Sequence, residues 1–113
     1  YLMYNNKSVD KYRGKWNEFF RNDNDIYLEI GCGSGNFTVG NAEKFKDRNY
    51  IALELRFKRL VLGARKSKKR NLHNILFVRK RGETILDFLV KMKFQEYILI
   101  FQILGKGKKG KEL

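Results

Sequence analysis

The sequence predicts an α/β fold built on a doubly wound parallel sheet, and three observations carry that expectation. Four short runs of strand character, at 26–30, 50–53, 74–78 and 97–101, alternate with segments of helical periodicity. A glycine cluster, Gly31-Cys32-Gly33-Ser34-Gly35, follows the first run at once. Phe57, Leu60, Val61 and Ala64 repeat at the i, i+3, i+4, i+7 spacing of a helix packed on a sheet. Helix-bearing crossovers between parallel strands are right-handed and cover both sheet faces, and ligands of such folds bind beyond the carboxyl ends of the strands, at the switch point.

Taken in order, 1–21 is polar and aromatic. Trp16, Phe19 and Phe20 at helical spacing predict a short amphipathic helix over 11–20. Asn22-Asp23-Asn24-Asp25 is a turn cluster. Ile26-Tyr27-Leu28-Glu29-Ile30 alternates as a strand does, and the glycines after it cannot continue it. A helix is expected over 36–45, with Phe37, Val39, Ala42 and Phe45. The second strand, 50–53, is closed by Glu54. The helix that follows carries Arg56, Lys58, Arg59, Arg65 and Lys66 on its other side, and Lys68-Lys69-Arg70 extends the run. The third strand is 74–78. A short helix over 84–90 turns Ile85, Leu86 and Leu89 inward. The run 97–101 is wholly apolar, which predicts a position inside a parallel sheet. The reading divides the chain into an N-terminal segment at 1–21, an α/β ligand-binding unit at 22–104 and a disordered Gly/Lys tail at 105–113.

With 113 residues, 42% of them hydrophobic, the chain has the material for one modest core. It begins with Tyr1, so a natural start upstream is expected. One cysteine excludes a disulfide framework and a multi-cysteine metal site, and suits a reducing, cytoplasmic setting. No apolar run approaches the ~20 residues of a membrane helix. The net charge of +13 points to a polyanion, with nucleic acid ahead of an anionic membrane surface.

The glycine loop departs from the dinucleotide fingerprint G-x-G-x-x-G, because Asn36 stands where the third glycine belongs. Glu29, one residue before the end of the first strand, would repel a pyrophosphate and suit a ligand with a positive amino group. S-adenosylmethionine, with an ammonium, a sulfonium and no phosphate, fits. Glu54 lies 23 residues after Gly31, the spacing of a carboxylate that accepts hydrogen bonds from ribose hydroxyls. Blander readings stand beside these: a tight turn with no ligand, a solvated strand-end Glu29, and a surface Glu54 balancing Arg56 and Lys58. Cys32 lacks a histidine partner and reads as a small buried residue. His73, the sole histidine, reads as solvated or phosphate-facing.

Leu28-Glu29-Ile30-Gly31-Cys32-Gly33-Ser34-Gly35 resembles the first motif of class I methyltransferases. Trp16 with Phe19-Phe20, Ile51-Ala52-Leu53-Glu54-Leu55-Arg56 and Asn71-Leu72-His73-Asn74-Ile75 resemble the bacterial tRNA (guanine-N7)-methyltransferase family in particular. The resemblance implies a Rossmann-like class I methyltransferase fold, S-adenosyl-L-methionine as cofactor and a tRNA guanine as substrate, giving 7-methylguanosine. It implies Glu29 and Gly31 at the methionine end of the cofactor, Gly33 and Gly35 completing the loop, Glu54 at the ribose and Arg56 beside it. Arg81, followed by Gly82, falls where the family has an acidic or amide residue near the adenine. No metal and no membrane are implied, and the oligomeric state is open. The alternatives are another class I methyltransferase acting on RNA or protein, a nicotinamide or flavin oxidoreductase, against which Glu29 and Asn36 speak, and a non-enzymatic basic RNA-binding module.

After the fourth strand the family carries Phe-Pro-Asp-Pro-Trp, with its Asp at the catalytic centre. Here the residues are Phe101-Gln102-Ile103-Leu104-Gly105. Ile103 takes the Asp position, so no catalytic residue is assigned. Loss of one T from TTT CCA GAT CCT TGG G gives TTC CAG ATC CTT GGG, which encodes the residues found. The expectation is an incomplete sheet and a truncated, weakly active or inactive chain. Resequencing the coding DNA is expected to reveal the single-nucleotide loss and a remnant of the missing half. A clean frame with no such remnant overturns the idea.

Overall fold

The computed structural model describes residues 2–3, 9, 11–12, 14–79 and 98–102, with 2–3 and 98–102 known by their backbone pairing. The elements are β1 (Leu2–Met3), α1 (Trp16–Phe20), β2 (Ile26–Ile30), α2 (Asn36–Lys44), β3 (Asn49–Glu54), α3 (Phe57–Lys69), β4 (Ile75–Arg79) and β5 (Ile98–Gln102). The expected helix over 84–90 and the tail lie outside the described residues.

The five strands form one parallel sheet in the order β1-β4-β3-β2-β5. β2 lies beside β3, followed by β4, on one side and beside β5 on the other. The direction of winding therefore reverses next to β2, and the doubly wound expectation holds. Two details differ from the sequence reading. The pair Leu2–Met3 adds a strand on β4; two residues show no alternation from which a strand could be read. The apolar run at 98–102 lies at the margin of the described sheet rather than inside it, because β2 and β3 take the centre.

Alternation sorts the strand side chains onto two faces. Ile26 and Leu28, Ile51 and Leu53, and Leu76 and Val78 form one core with Val9, Trp16 and Phe20. Tyr50, Ala52, Ile75 and Phe77 form the other with Val39 and Ala42 of α2 and Leu60 of α3. Both faces are covered, as a parallel sheet requires. Trp16 is fully buried, and its indole alone contributes about 1.5–3 kcal/mol of apolar burial. Helix α1 is shorter than predicted, because Gly14 sits at φ 73° and interrupts any helical path from residue 11.

Helix α3 also packs differently from its sequence pattern. Its buried residues are Leu60, Gly63 and Ser67, while Phe57 is 42% exposed. The Phe77 ring lies directly beneath Gly63 and turns that side of the helix toward the sheet: a Cβ added at Gly63 would sit 2.6 Å from the ring.

At the amino ends of the strands an amide ladder joins the loops. Asn22 and Asn49 exchange side-chain hydrogen bonds at 3.4 and 2.7 Å. The Asn74 amide donates to the carbonyls of Ala42 (3.0 Å), Phe45 (3.3 Å) and Arg48 (2.9 Å), closing the C-terminal end of α2.

Replacing Gly63 by Ala is expected to lower stability by about 1–3 kcal/mol through overpacking against Phe77. Denaturant unfolding measures this, and an unchanged midpoint would contradict the close approach of α3 to β4.

Candidate functional site

The loop from Gly31 to Gly35 leaves β2 at the point where the winding reverses. Gly31 (φ 75°), Gly33 (φ 61°) and Gly35 (φ 78°) are all left-handed, a region that side chains with a Cβ rarely enter. Gly35 is needed twice over, since a Cβ there would also lie 2.8 Å from the Phe77 ring. The loop is bound to β3 by its own backbone: the N–H groups of Gly31 and Cys32 both donate to the Leu53 carbonyl, at 2.8 and 3.0 Å.

Glu54, the last residue of β3, ties the same loop through its side chain. Its Oε1 accepts from the Gly33 N–H at 2.8 Å, and its Oε2 accepts from the Arg56 N–H and from Arg56 Nε, each at 3.0 Å. Glu54 is 5% exposed, whereas Arg56 is 62% exposed. Burial alone would raise the carboxyl pKa, but the hydrogen bonds from Arg56 and Gly33 outweigh it, and the group titrates below its ordinary value of 4.5. A carboxylate offers about four lone-pair positions. Three are filled from within the chain, so one remains for a ligand hydroxyl.

Glu29 is buried at 1% exposure, one residue before the loop. The blander reading of a solvated strand-end carboxylate does not hold: Glu29 lies below the surface, on the same side of β2 as Tyr27. Burial, with Glu29 and then Glu54 nearby, pushes the Cys32 thiol far up, so it stays neutral, as expected of a small buried residue and not of a nucleophile. Two carboxylates thus lie close to the glycine loop.

Helix α3 reaches the loop from outside, which its sequence pattern did not reveal. Lys66 Nζ donates to the Ser34 carbonyl at 3.3 Å and to Asn36 Oδ1. The residue that replaces the third fingerprint glycine is therefore an acceptor that links α2 to α3. Arg59 Nη1 would lie 3.8 Å from a Cβ at Gly33. Arg79, at the end of β4, donates from Nε to the Leu55 carbonyl at 3.0 Å and holds the β3–α3 turn. The signal for Lys66 and Arg59 was their placement seven residues, two helical turns, apart, but a basic helix face is more often simply solvated.

Gly31, Gly33, Gly35, Glu29, Glu54 and Arg56 are thus brought together at the carboxyl ends of β2 and β3. Arg81, Gly82 and Ile103 lie outside the described residues. Among the described residues no group of His, Cys, Asp and Glu could hold a metal ion, and no helix is long and apolar enough to cross a membrane.

The parallel order, the glycine turn after the central strand and the carboxylate closing the next strand define the Rossmann-like arrangement of class I methyltransferases. The chain belongs to the methyltransferase family described as "Putative methyltransferase", which matches residues 23–102. It is 50% identical over 101 residues to a bifunctional glycosyltransferase/methyltransferase of Fusobacterium nucleatum, covering 89% of this chain and 16% of that protein. It is 41% identical over 90 residues to a tRNA (guanine-N(7)-)-methyltransferase of Bacteroides fragilis, covering 79% of this chain and 36% of that one. The chain thus spans well under half the length of these curated relatives. Among solved structures, a dimethyladenosine transferase of Plasmodium falciparum shares the fold with a TM-score of 0.51 at 21% identity, covering 92% of this chain and 34% of the other. PKMT2 of Rickettsia typhi, in complex with AdoHcy, does so with a TM-score of 0.53 at 21% identity, covering 69% and 15%.

The lowered pKa of Glu54 fixes a sign. A carboxyl depressed in the folded state contributes stability above its unfolded value, and that contribution is lost as pH falls through the folded-state value. Glu54→Gln is therefore expected to cost about 1–3 kcal/mol near pH 7 and progressively less below pH 4.5. Urea unfolding of both proteins across this range measures it, and a difference independent of pH would refute the assignment.

Proposed function

We propose that this chain is the cofactor-binding part of an S-adenosyl-L-methionine-dependent methyltransferase that forms 7-methylguanosine in tRNA. The observation that carries the reading is the Glu54 carboxylate. It is held against Gly33 at the switch point with one acceptor position left, beside a second carboxylate, Glu29. A pyrophosphate seeks a bare helix N-terminus, and the Glu29 carboxylate beside the loop disfavours it. A cationic nucleoside with free ribose hydroxyls is the complementary ligand.

In this reading Glu54 accepts a ribose hydroxyl. Glu29 and Gly31 take the methionine end, Gly33 and Gly35 admit the ligand without a Cβ in its way, and Arg56 flanks the ribose. Capture of both ribose hydroxyls by Glu54 requires one internal bond to yield, and the exposed Arg56 side chain is the one that yields most cheaply. Arg81 and Gly82 are proposed beside the adenine. S-adenosyl-L-methionine supplies an activated methyl group. Guanine N7 is already an acceptor with a lone pair, so the protein's part is alignment more than proton transfer. With Ile103 in the family's Asp position, weak turnover is expected.

The tRNA substrate is supported by the net charge of +13 and by the similarity to tRNA (guanine-N(7)-)-methyltransferases of Bacteroides fragilis and Porphyromonas gingivalis, at 41% and 34% identity. Phosphate contacts position the RNA, and their strength falls with salt. A cytoplasmic location follows from that substrate.

Calorimetry tests the cofactor reading. S-adenosylhomocysteine is expected to bind and NAD is not, and Glu54→Ala is expected to weaken binding about 10- to 100-fold, from the loss of a charge-assisted hydrogen bond. Absence of heat with S-adenosylhomocysteine on the folded wild-type chain sinks the reading.

A further inference from the structure

At the opposite end of the sheet from the glycine loop lies a recess of about 250 Å³, formed where the chain enters β2, β3 and β4. Its rigid walls are residues already committed to the fold. Asn22 is bonded to Asn49 and to the Phe20 carbonyl, and Asn74 gives its amide protons to the end of α2. Phe20 and Leu72 supply an apolar floor, at 8% and 5% exposure. Three polar side chains lining the recess are uncommitted. Lys46, Asn71 and His73 are exposed and make no side-chain hydrogen bond or ion pair among the described residues. An ammonium, an imidazole and an amide line a small cavity with no carboxylate among its lining residues. That is a set of partners for a phosphate and the edge of a base, not for a cation or an apolar ligand.

The recess also continues a cationic path. Helix α3 bears six basic and no acidic residues and is about 20 Å long at 1.5 Å per residue. It begins beside the glycine loop, where Arg59 lies near Gly33, carries Lys66 onto Ser34 and Asn36 in its last turn, and ends at Lys68 and Lys69, two residues before Asn71 on the rim of the recess.

We propose that this recess is a second RNA contact, which takes one unpaired nucleotide of the substrate strand: the phosphate on Lys46 and His73, the base edge on Asn71, the base face on the Phe20–Leu72 floor. At about 250 Å³ the recess is smaller than pockets for drug-sized ligands, so it takes part of one nucleotide and leaves the rest in solvent. The inference rests on the tRNA reading above and adds a contact far from the cofactor. Because one lysine and one histidine hold a lone phosphate only weakly, the recess acts as part of a chain of contacts along α3 and not as a site for a free nucleotide.

The test is fluorescence anisotropy of a labelled tRNA transcript with the full chain at several salt concentrations, using wild type, Lys46→Ala, His73→Ala and the double variant. Both side chains changed, Lys46 and His73, are exposed, and circular dichroism checks that the variants fold. The double variant is expected to bind tRNA roughly 5- to 20-fold more weakly. Lys46→Ala is expected to lower the slope of log K against log salt by about 0.7–0.9, the value of one lost phosphate contact. S-adenosylhomocysteine binding is expected to be unchanged in every variant, and guanosine monophosphate or inorganic phosphate is expected to compete poorly with tRNA. Unchanged tRNA affinity and slope in the double variant overturn the recess while leaving the cofactor and tRNA readings intact. Tight, Lys46-dependent binding of free guanosine monophosphate or phosphate, without an effect on tRNA, overturns it in favour of a small-molecule site. A wild-type chain that binds the cofactor product but no tRNA overturns both RNA readings together.

Discussion

Glu54 is a nearly buried carboxylate whose charge is carried by N–H groups of Gly33 and Arg56. Burying a carboxylate without partners costs several kcal/mol, so the Gly33–Glu54–Arg56 contacts are conditions for the turn, not ornaments on it. They couple three pieces of chain that are distant in sequence: the glycine loop after β2, the end of β3 and the start of α3. The Leu53 carbonyl, taking two loop N–H groups, fixes the same junction from the backbone. Phe77 fixes it from below, where the ring admits only glycine at 35 and 63. The crevice is therefore shaped before any ligand arrives, which limits the ordering that binding must impose.

This junction explains why the glycines fall where they do. Left-handed φ values allow the loop to leave β2 sharply, but the spacing of Gly35 and Gly63 answers to a different demand, the close approach of α2 and α3 over one aromatic ring. On the proposed reading a single loop serves two ends, ligand access on its outer side and helix packing on its inner side. Substitutions at Gly33 and Gly35 would differ in kind. At Gly33 the Cβ position is open apart from Arg59, so the penalty is backbone strain and a narrowed crevice. At Gly35 a collision with β4 is added.

Much of this was legible in the sequence. The strand–glycine–helix–strand–Glu order gave the parallel sheet, the switch point and the place of Glu54 at the end of its strand, because alternation and turn chemistry are local properties. What the sequence hid was non-local. The burial of Glu29, at 1% exposure, is not encoded by the alternation of its own strand. The rotation of α3 toward Gly63 depends on Phe77, 14 residues further along. An apolar stripe at 57, 60, 61 and 64 is a good helix signal, yet Phe57 is exposed while Ser67 is buried and bonded to the Ala64 carbonyl. The roles of Lys66 and Asn36 were likewise invisible, since a lysine on a basic face gives no sign that it crosses to another helix. The marginal place of β5 depends on strand order, which an apolar run does not encode.

The charge on α3 is the feature that stability alone does not account for. Lys58 and Arg59 stand in its first turn, where the helix dipole disfavours cations, and Arg65 and Lys69 form a like-charged i, i+4 pair. Each such arrangement costs a few tenths of a kcal/mol, and the helix has no acidic residue of its own to offset them. The described compensations are few: Lys66 on Ser34 and Asn36, and the exposed Arg70–Glu43 ion pair at 2.9 Å. Packing of Leu60, Gly63 and Ser67 must carry the helix against its own repulsion. On the RNA reading proposed above, a surface that is held together in spite of its charge, and whose cations run from a carboxylate-lined crevice toward an amide-walled recess, keeps that charge for a polyanion. Bound RNA would relieve the repulsion, so docking and helix stability would strengthen together, and both would weaken as salt screens the phosphates.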